Sequence, residues 1–542
     1  MSLDQLCQSW LDLKWHFDPA GASAAGALEH DGRLGEYDAD SIRVHLAGCR
    51  ALAAALEELE IEDTQEEIDR TALLDELRVT VIRLANEAPH RRNPAFWLGH
   101  LLNALHTLIL RDVGDPVLRA RGALARLDGA PGYLRRAEET LSQPPAVFVS
   151  LARDMLVGGT ALVREVAREH GRRRPEMAAD LAEAAERAAA ALERFGQALD
   201  SEIVPDPDEL AFAVGEDQFD RRLHHEHAIR HGAPELWRYG LHLVEEIEAE
   251  VAALAAQLEP GKPWRDVVER VRAERLTGDP VALFAGEADR ARAFLVEQGL
   301  VALPDARLEV LPTPGFLRPL IPFAAYAPPG ALFADRTGYF YVTPPEANGN
   351  GPPAPGAAAG DRRGSSSRHD VAITVAHEGF PGHHLHFGTI AALPSRVRRH
   401  VWTPVTIEGW ALYSEELMAE QGFFRSREER LLQRVHLLWR AIRILLDVGL
   451  HTRGMRPAEA EEMLVAKVPI ERAQAAVEVR RYCAWPTYQL SYAVGRRDIL
   501  ALREDRRRRD GAAFSLRDFH DDFLAYGGLP VSLIRWGMEL EE

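Results

Sequence analysis

The sequence predicts a mostly α-helical protein that carries a small β-sheet. Apolar residues recur at three- and four-residue spacing from about residue 40 to 260, and the same periodicity returns at Val371 and runs nearly to the end. Between these helical regions lies a Pro- and Gly-rich stretch with short runs of β-forming residues.

In the first region, DSIRVHLAGCRALAAALEELE (40–60) and PEMAADLAEAAERAAAALERFGQAL (175–199) are amphipathic helices by their spacing. Their Leu and Ala stripes are core positions and carry no motif. Residues 1–200 are therefore expected to form a helical N-terminal region packed on a catalytic body at 201–542. The texture changes near residue 300 with LPTPGFLRPLIPFAAYAPPG (311–330). ALFAD (331–335) and GYFYVTPP (338–345) follow as candidate strands, the second stopped by Pro344 and Pro345. The next segment, NGNGPPAPGAAAGDRRGSSSRHD (348–370), is too poor in apolar residues to order itself and is expected to be a flexible surface loop.

At 542 residues the chain is long enough for a large buried core. Its 64 Lys+Arg against 83 Asp+Glu give a formal charge of -19, which argues against nonspecific binding to nucleic acid or anionic lipid. The basic run Arg506 to Arg509 is read as a solvated helix face. Cys7, Cys49 and Cys483 are sparse and widely spaced, as expected of reduced thiols. The N-terminal MSLDQLCQSWLDLKWHFD is amphipathic and acidic, unlike a secretory signal, and no run of 18 apolar residues is visible. A cytoplasmic location without a membrane span is the expectation.

The chemistry concentrates in VAITVAHEGFPGHHLHF (371–387). An apolar helix delivers His377 and Glu378 side by side, and polar groups buried there are costly unless something coordinates or bonds them. In the usual HExxH motif of zinc hydrolases, two His at i and i+4 hold the metal and the Glu is the general base. Here the i+4 position is Pro381. On a regular helix His383 would sit roughly 240° from His377, and His384 about 20° off but roughly 10.5 Å further along. Pro381 forbids a regular helix, because it lacks an N–H and its ring collides with the carbonyl of residue 377. The chain must therefore bulge or break between Glu378 and Gly382, which favours His383 over His384 as second ligand. His384 is left for substrate contact.

Glu408, 25 residues after His383 in TPVTIEGWALYSEELMAE, is the candidate third ligand. Glu415 either orients a ligating His or is a surface carboxylate beside Glu416. In RRYCAWPTYQLSYAVG (480–495), Tyr492 is the candidate hydrogen-bond donor to a tetrahedral intermediate, with Tyr488 and Arg481 as substrate contacts. Arg480 or Arg481 could pair a terminal carboxylate. The second histidine group, LHHEHAIRH (His224, His225, His227, His231), fits a solvated helix, or one lining a cleft towards substrate, better than a metal site.

At HEGFPGHHLH, EGWALYSEEL and PTYQLSYAVG, this sequence resembles the bacterial family catalogued as domain of unknown function 885, although His386 stands where that family commonly has Gln. The family looks like a divergent branch of the zincin metallopeptidases, similar in its helical fold to carboxypeptidase Taq. The resemblance implies a large helical zincin-like fold with a central cleft, Zn2+ held by His377, His383 and Glu408, and Glu378 as catalytic base. It also makes GYFYVTPP resemble the edge strand on which related peptidases lay a peptide, with Tyr341 in contact with substrate. A peptide or small-amide substrate is expected. A nonpeptide amidase and a catalytically silent helical binding protein are the alternative readings.

Overall fold

The computed structural model describes residues 1–314, 317, 318, 321, 323–344 and 367–540. It is mostly helical with one three-stranded sheet. The chain forms two compact units, one of residues 1–66 and 73–212, the other of residues 67–72 and 213–542.

In the first unit the helices Pro94–Leu110, Pro116–Thr140, Ala146–Arg173 and Ala178–Ser201 pack side by side. Their stripes Leu98, Leu101, Leu105, Leu127, Val163, Val166, Leu181 and Phe195 are wholly buried, as the periodicity predicts. Asp115 starts the second of these helices by accepting the N–H groups of Val117 and Leu118. Arg126 is completely buried, and its guanidinium donates to the carbonyls of Pro19, His30, Arg33 and Ala104 and to the hydroxyls of Ser23 and Thr107. Such multiple donation is what makes a buried cation tolerable. Among the described residues one helix, Ala146–Arg173, is long and apolar enough to cross a membrane by length and composition, although it holds no uninterrupted apolar run of 18 residues. Arg153 and Asp154 interrupt its apolar surface, and it packs on Pro94–Leu110 and Ala178–Ser201.

The second unit holds the sheet and the motif-bearing helices. β1 (Leu308–Pro312) pairs in parallel with β3 (Gly338–Val342), and β2 (Ala324–Ala327) pairs with β3 in antiparallel fashion, giving the order β1-β3-β2. Two expectations are corrected here. ALFAD (331–335) forms turns, because the extended partner is supplied by Ala324–Ala327 just before it. GYFYV is the central strand and not an edge, so its main chain is used on both sides and Tyr341 is buried within the sheet. Most of the predicted flexible loop, 348–366, lies outside the described residues.

The helix Pro404–Glu420 begins at Thr403, whose hydroxyl accepts the Val405 N–H, with Pro404 at the first helical position. It packs along Ser491–Asp510 through two glycines. A Cβ on Gly495 would lie 1.9 Å from the Val405 carbonyl oxygen, and one on Gly409 would lie 2.6 Å from the Gly495 Cα. Only hydrogen at both positions allows the backbones this close. Glu416, on the same helix, is buried and gripped by Arg434 at 2.8 Å through both nitrogens, and by Arg430 and Arg496 at 3.1 Å. Burial pushes its pKa up, but Arg434, Arg496 and Arg430 outweigh that and hold it at about 2. The folded value lies below the unfolded value of 4.5, so this stabilisation is complete above pH 4.5 and is lost as pH falls towards 2. Glu416→Gln is expected to cost about 3 kcal/mol at neutral pH and to flatten the fall in stability between those pH values. Urea titrations across that range check both.

Candidate metal centre

The helix Asp370–Glu378 ends with His377 and Glu378, and a new helix, His383–Ile390, starts at His383. Between them Gly379–Gly382 leave helical geometry, and the Phe380–Pro381 peptide bond is cis. The break expected from Pro381 is present. Trp410 from the helix Pro404–Glu420 donates its indole N–H to the Pro381 carbonyl at 2.8 Å and fixes the connection. Gly382 is required sterically, since a Cβ there would lie 1.8 Å from the His377 carbonyl oxygen.

This connection turns the two imidazoles onto one point. His383 Nε2 lies 3.3 Å from Glu408 Oε2, and His377 Nε2 lies 3.7 Å from the same oxygen. The three side chains are buried, and their donor atoms lie within 4.8 Å of one another. Among the described residues this is the one cluster of three such groups.

Two of the three members, His377 and Glu408, are oriented from behind. Glu415 is fully buried, and its Oε1 accepts the His377 Nδ1–H at 2.9 Å, leaving Nε2 to face Glu408. The surface reading of Glu415 is thereby excluded. Tyr488 donates its hydroxyl to Glu408 Oε1 at 2.7 Å, so this residue, expected to meet substrate, holds the carboxylate. The Tyr492 ring stacks on His377 with centroids 6.5 Å apart. Glu378 is half-buried, and its charge reaches His377.

The electrostatics favour a cation. Burial alone would discharge His377, but Glu408, Glu415 and Glu378 outweigh it and raise its pKa to about 9. Burial raises Glu408, and the two imidazoles more than reverse that, holding it well below the carboxylate range. Glu408 Oε2 is nevertheless buried without a hydrogen bond. A buried carboxylate oxygen facing two imidazole nitrogens, with no hydrogen bond of its own, fits a divalent ion of the zinc type.

Other expected site residues fall elsewhere. His384, expected at the substrate, is completely buried and shares a 3.1 Å hydrogen bond between its Nδ1 and the Tyr326 hydroxyl. Burial lowers its pKa to about 4. Tyr326, on β2, stacks at 6.5 Å on His383 and was not foreseen, because AAYA carries little strand signal. Arg481 pairs with Glu478 at 3.1 Å and lies over Trp485. His227 is buried between Thr403 (2.6 Å) and Thr487 (3.1 Å), a structural hydrogen-bond bridge.

Comparison with known proteins places the chain in a family. Residues 19–538 match the family described as "Bacterial protein of unknown function (DUF885)". A solved structure from Shewanella oneidensis, described as "a putative lipoprotein of unknown function", is 22% identical with a TM-score of 0.77, covering 99% of this chain and 100% of its own. Another, described as "the putative lipoprotein from Colwellia psychrerythraea", is 17% identical with a TM-score of 0.83, covering 99% of each chain. At these identities both show a shared fold. No curated protein matches. The match over nearly the whole length establishes that the chain belongs to the bacterial DUF885 family.

Proposed function

We propose that this protein is a zinc-dependent peptide hydrolase of the zincin type, with the ion held by His377, His383 and Glu408. The observation that carries the reading is the convergence of these three buried donors within 4.8 Å, directly beside Glu378. Two imidazoles and one carboxylate leave a fourth position for water or substrate, as catalytic zinc sites require. Zinc bound there lowers the pKa of water and polarises a carbonyl.

The protein's own groups do the rest. Glu378 takes a proton from the attacking water and passes it to the leaving amine. Glu415 fixes the His377 tautomer so that the Nε2 lone pair would be available to a bound ion. Tyr488 holds one oxygen of Glu408 and leaves the other free. Tyr492, packed on His377, is positioned to donate to the developing oxyanion. Among the described residues β2 pairs only with β3, and its Tyr326 lies against His383. β2 thus replaces β3 as the edge on which an extended peptide docks by main-chain hydrogen bonds.

Glu415→Gln is expected to weaken zinc binding about 10- to 100-fold, measured against a competing chelator. The three cysteines are buried and widely spaced along the chain, which suits a reducing compartment, so we place the activity in the cytoplasm. Cell fractionation tests this against the membrane attachment that the description of the structural relatives as lipoproteins suggests. The function itself is tested with the purified protein on a mixed peptide pool. One zinc per chain is expected, with cleavage lost on chelation and restored by zinc. A zinc-loaded protein that leaves every peptide intact would overturn the reading.

A further inference from the structure

Asp447, on the helix Arg427–Thr452, is fully buried and makes no ion pair among the described residues. Burial pushes its pKa up to about 7, against the pull of the Leu490 and Thr487 N–H groups and of the Arg222 charge. Its two oxygens serve a single turn of the chain. Oδ1 accepts the Thr487 N–H and Oδ2 the Leu490 N–H, each at 3.0 Å. A carboxylate taken out of water at such cost, and committed to main-chain groups 40 and 43 residues away, marks a turn whose shape matters.

That turn, residues 486–490, holds Thr487 at φ 66°. The left-handed conformation is unfavourable for a β-branched residue, and such outliers persist only where the surroundings over-determine them. Here hydrogen bonds do so. Besides the bond to Asp447, the Thr487 hydroxyl meets Nε2 of the buried His227 at 3.1 Å, and Nδ1 of the same ring meets the Thr403 hydroxyl at 2.6 Å. Thr403 caps the helix Pro404–Glu420, which carries Glu408. The next residue in the turn, Tyr488, donates its hydroxyl to Glu408 at 2.7 Å. Both ends of that bond are thus anchored to one buried network, Glu408 through Thr403 and His227, Tyr488 through Thr487 and Asp447.

We propose that Asp447, aided by His227, is a positioning residue of the metal centre, locking the strained turn so that Tyr488 engages Glu408 Oε1 and leaves Oε2 for the ion. This rests on the metal reading above. Asp447 acts through the direction of one side chain. Without its two N–H bonds Thr487 relaxes towards a right-handed conformation, the following side chain is redirected, and Glu408 loses the donor that orients it. Asn at 447 is nearly isosteric, but it offers one acceptor oxygen, and its NH2 group opposes the remaining N–H.

The test measures zinc affinity by chelator competition in the parent, Asp447→Asn, Tyr488→Phe and the double variant. Each single change is expected to weaken zinc binding about tenfold. The double variant should fall no further than Tyr488→Phe alone, whereas independent effects would multiply to about 100-fold. Thr487→Val, which removes the hydroxyl bond to His227 and keeps the N–H, should show the same dependence on Tyr488 and serves if Asp447→Asn does not fold. In metal-free protein, amide hydrogen exchange across residues 486–490 should quicken about tenfold in Asp447→Asn, which reads the clamp apart from the ion. Parental zinc affinity in Asp447→Asn, losses that multiply, or unchanged exchange would overturn the proposal. A parent that binds no zinc would refute the metal centre itself, and this role with it.

Discussion

Glu378→Gln is expected to slow peptide hydrolysis about 10²- to 10⁴-fold while leaving the zinc content at one per chain. That loss corresponds to about 3 to 5 kcal/mol of transition-state stabilisation. The amide keeps the size and the hydrogen-bonding edge of the side chain but cannot accept the proton of the attacking water. Glu378 is not among the three converging donors, so the metal site should survive the change. Parallel measurements of kcat/KM and metal stoichiometry separate the two effects. Activity within tenfold of the parent would remove Glu378 from the mechanism.

The second large effect is expected at a residue with no functional group. A methyl on Gly382 would lie 1.8 Å from the His377 carbonyl oxygen and 2.5 Å from that of Ala376. Both obstacles are backbone, so relief requires moving the turn itself, beyond the about 1 to 3 kcal/mol of ordinary overpacking. The turn is what carries His383 round to face Glu408. Gly382→Ala should therefore lower zinc affinity at least about 100-fold and depress the unfolding temperature. A chelator competition, with near-ultraviolet circular dichroism to show that the core remains packed, checks this. An unchanged affinity would mean that the connection does not position His383.

The helical character and the ligand candidates were legible because they rest on local rules. Three-four periodicity marked the helices, and the clash between a proline ring and the carbonyl four residues back located the break after Glu378. That His383 and not His384 turns inward follows from that break, and His384 is instead spent on Tyr326. The sheet was less legible. A central and an edge strand differ in what lies beside them, which a single run such as GYFYV does not record, and β2 is too short and Ala-rich to announce itself. Long-range partners were the least visible. Tyr488 meets Glu408 across 80 residues and Glu415 meets His377 across 38, and these contacts turn a candidate substrate residue and an ambiguous carboxylate into supports of the centre.

The most direct measurement is anomalous diffraction at the zinc edge from crystals of the zinc-loaded protein. A single strong peak is expected about 2.0 to 2.2 Å from Nε2 of His377, Nε2 of His383 and a carboxylate oxygen of Glu408. A zinc peak bound elsewhere, or none at this position under saturating zinc, would contradict the account.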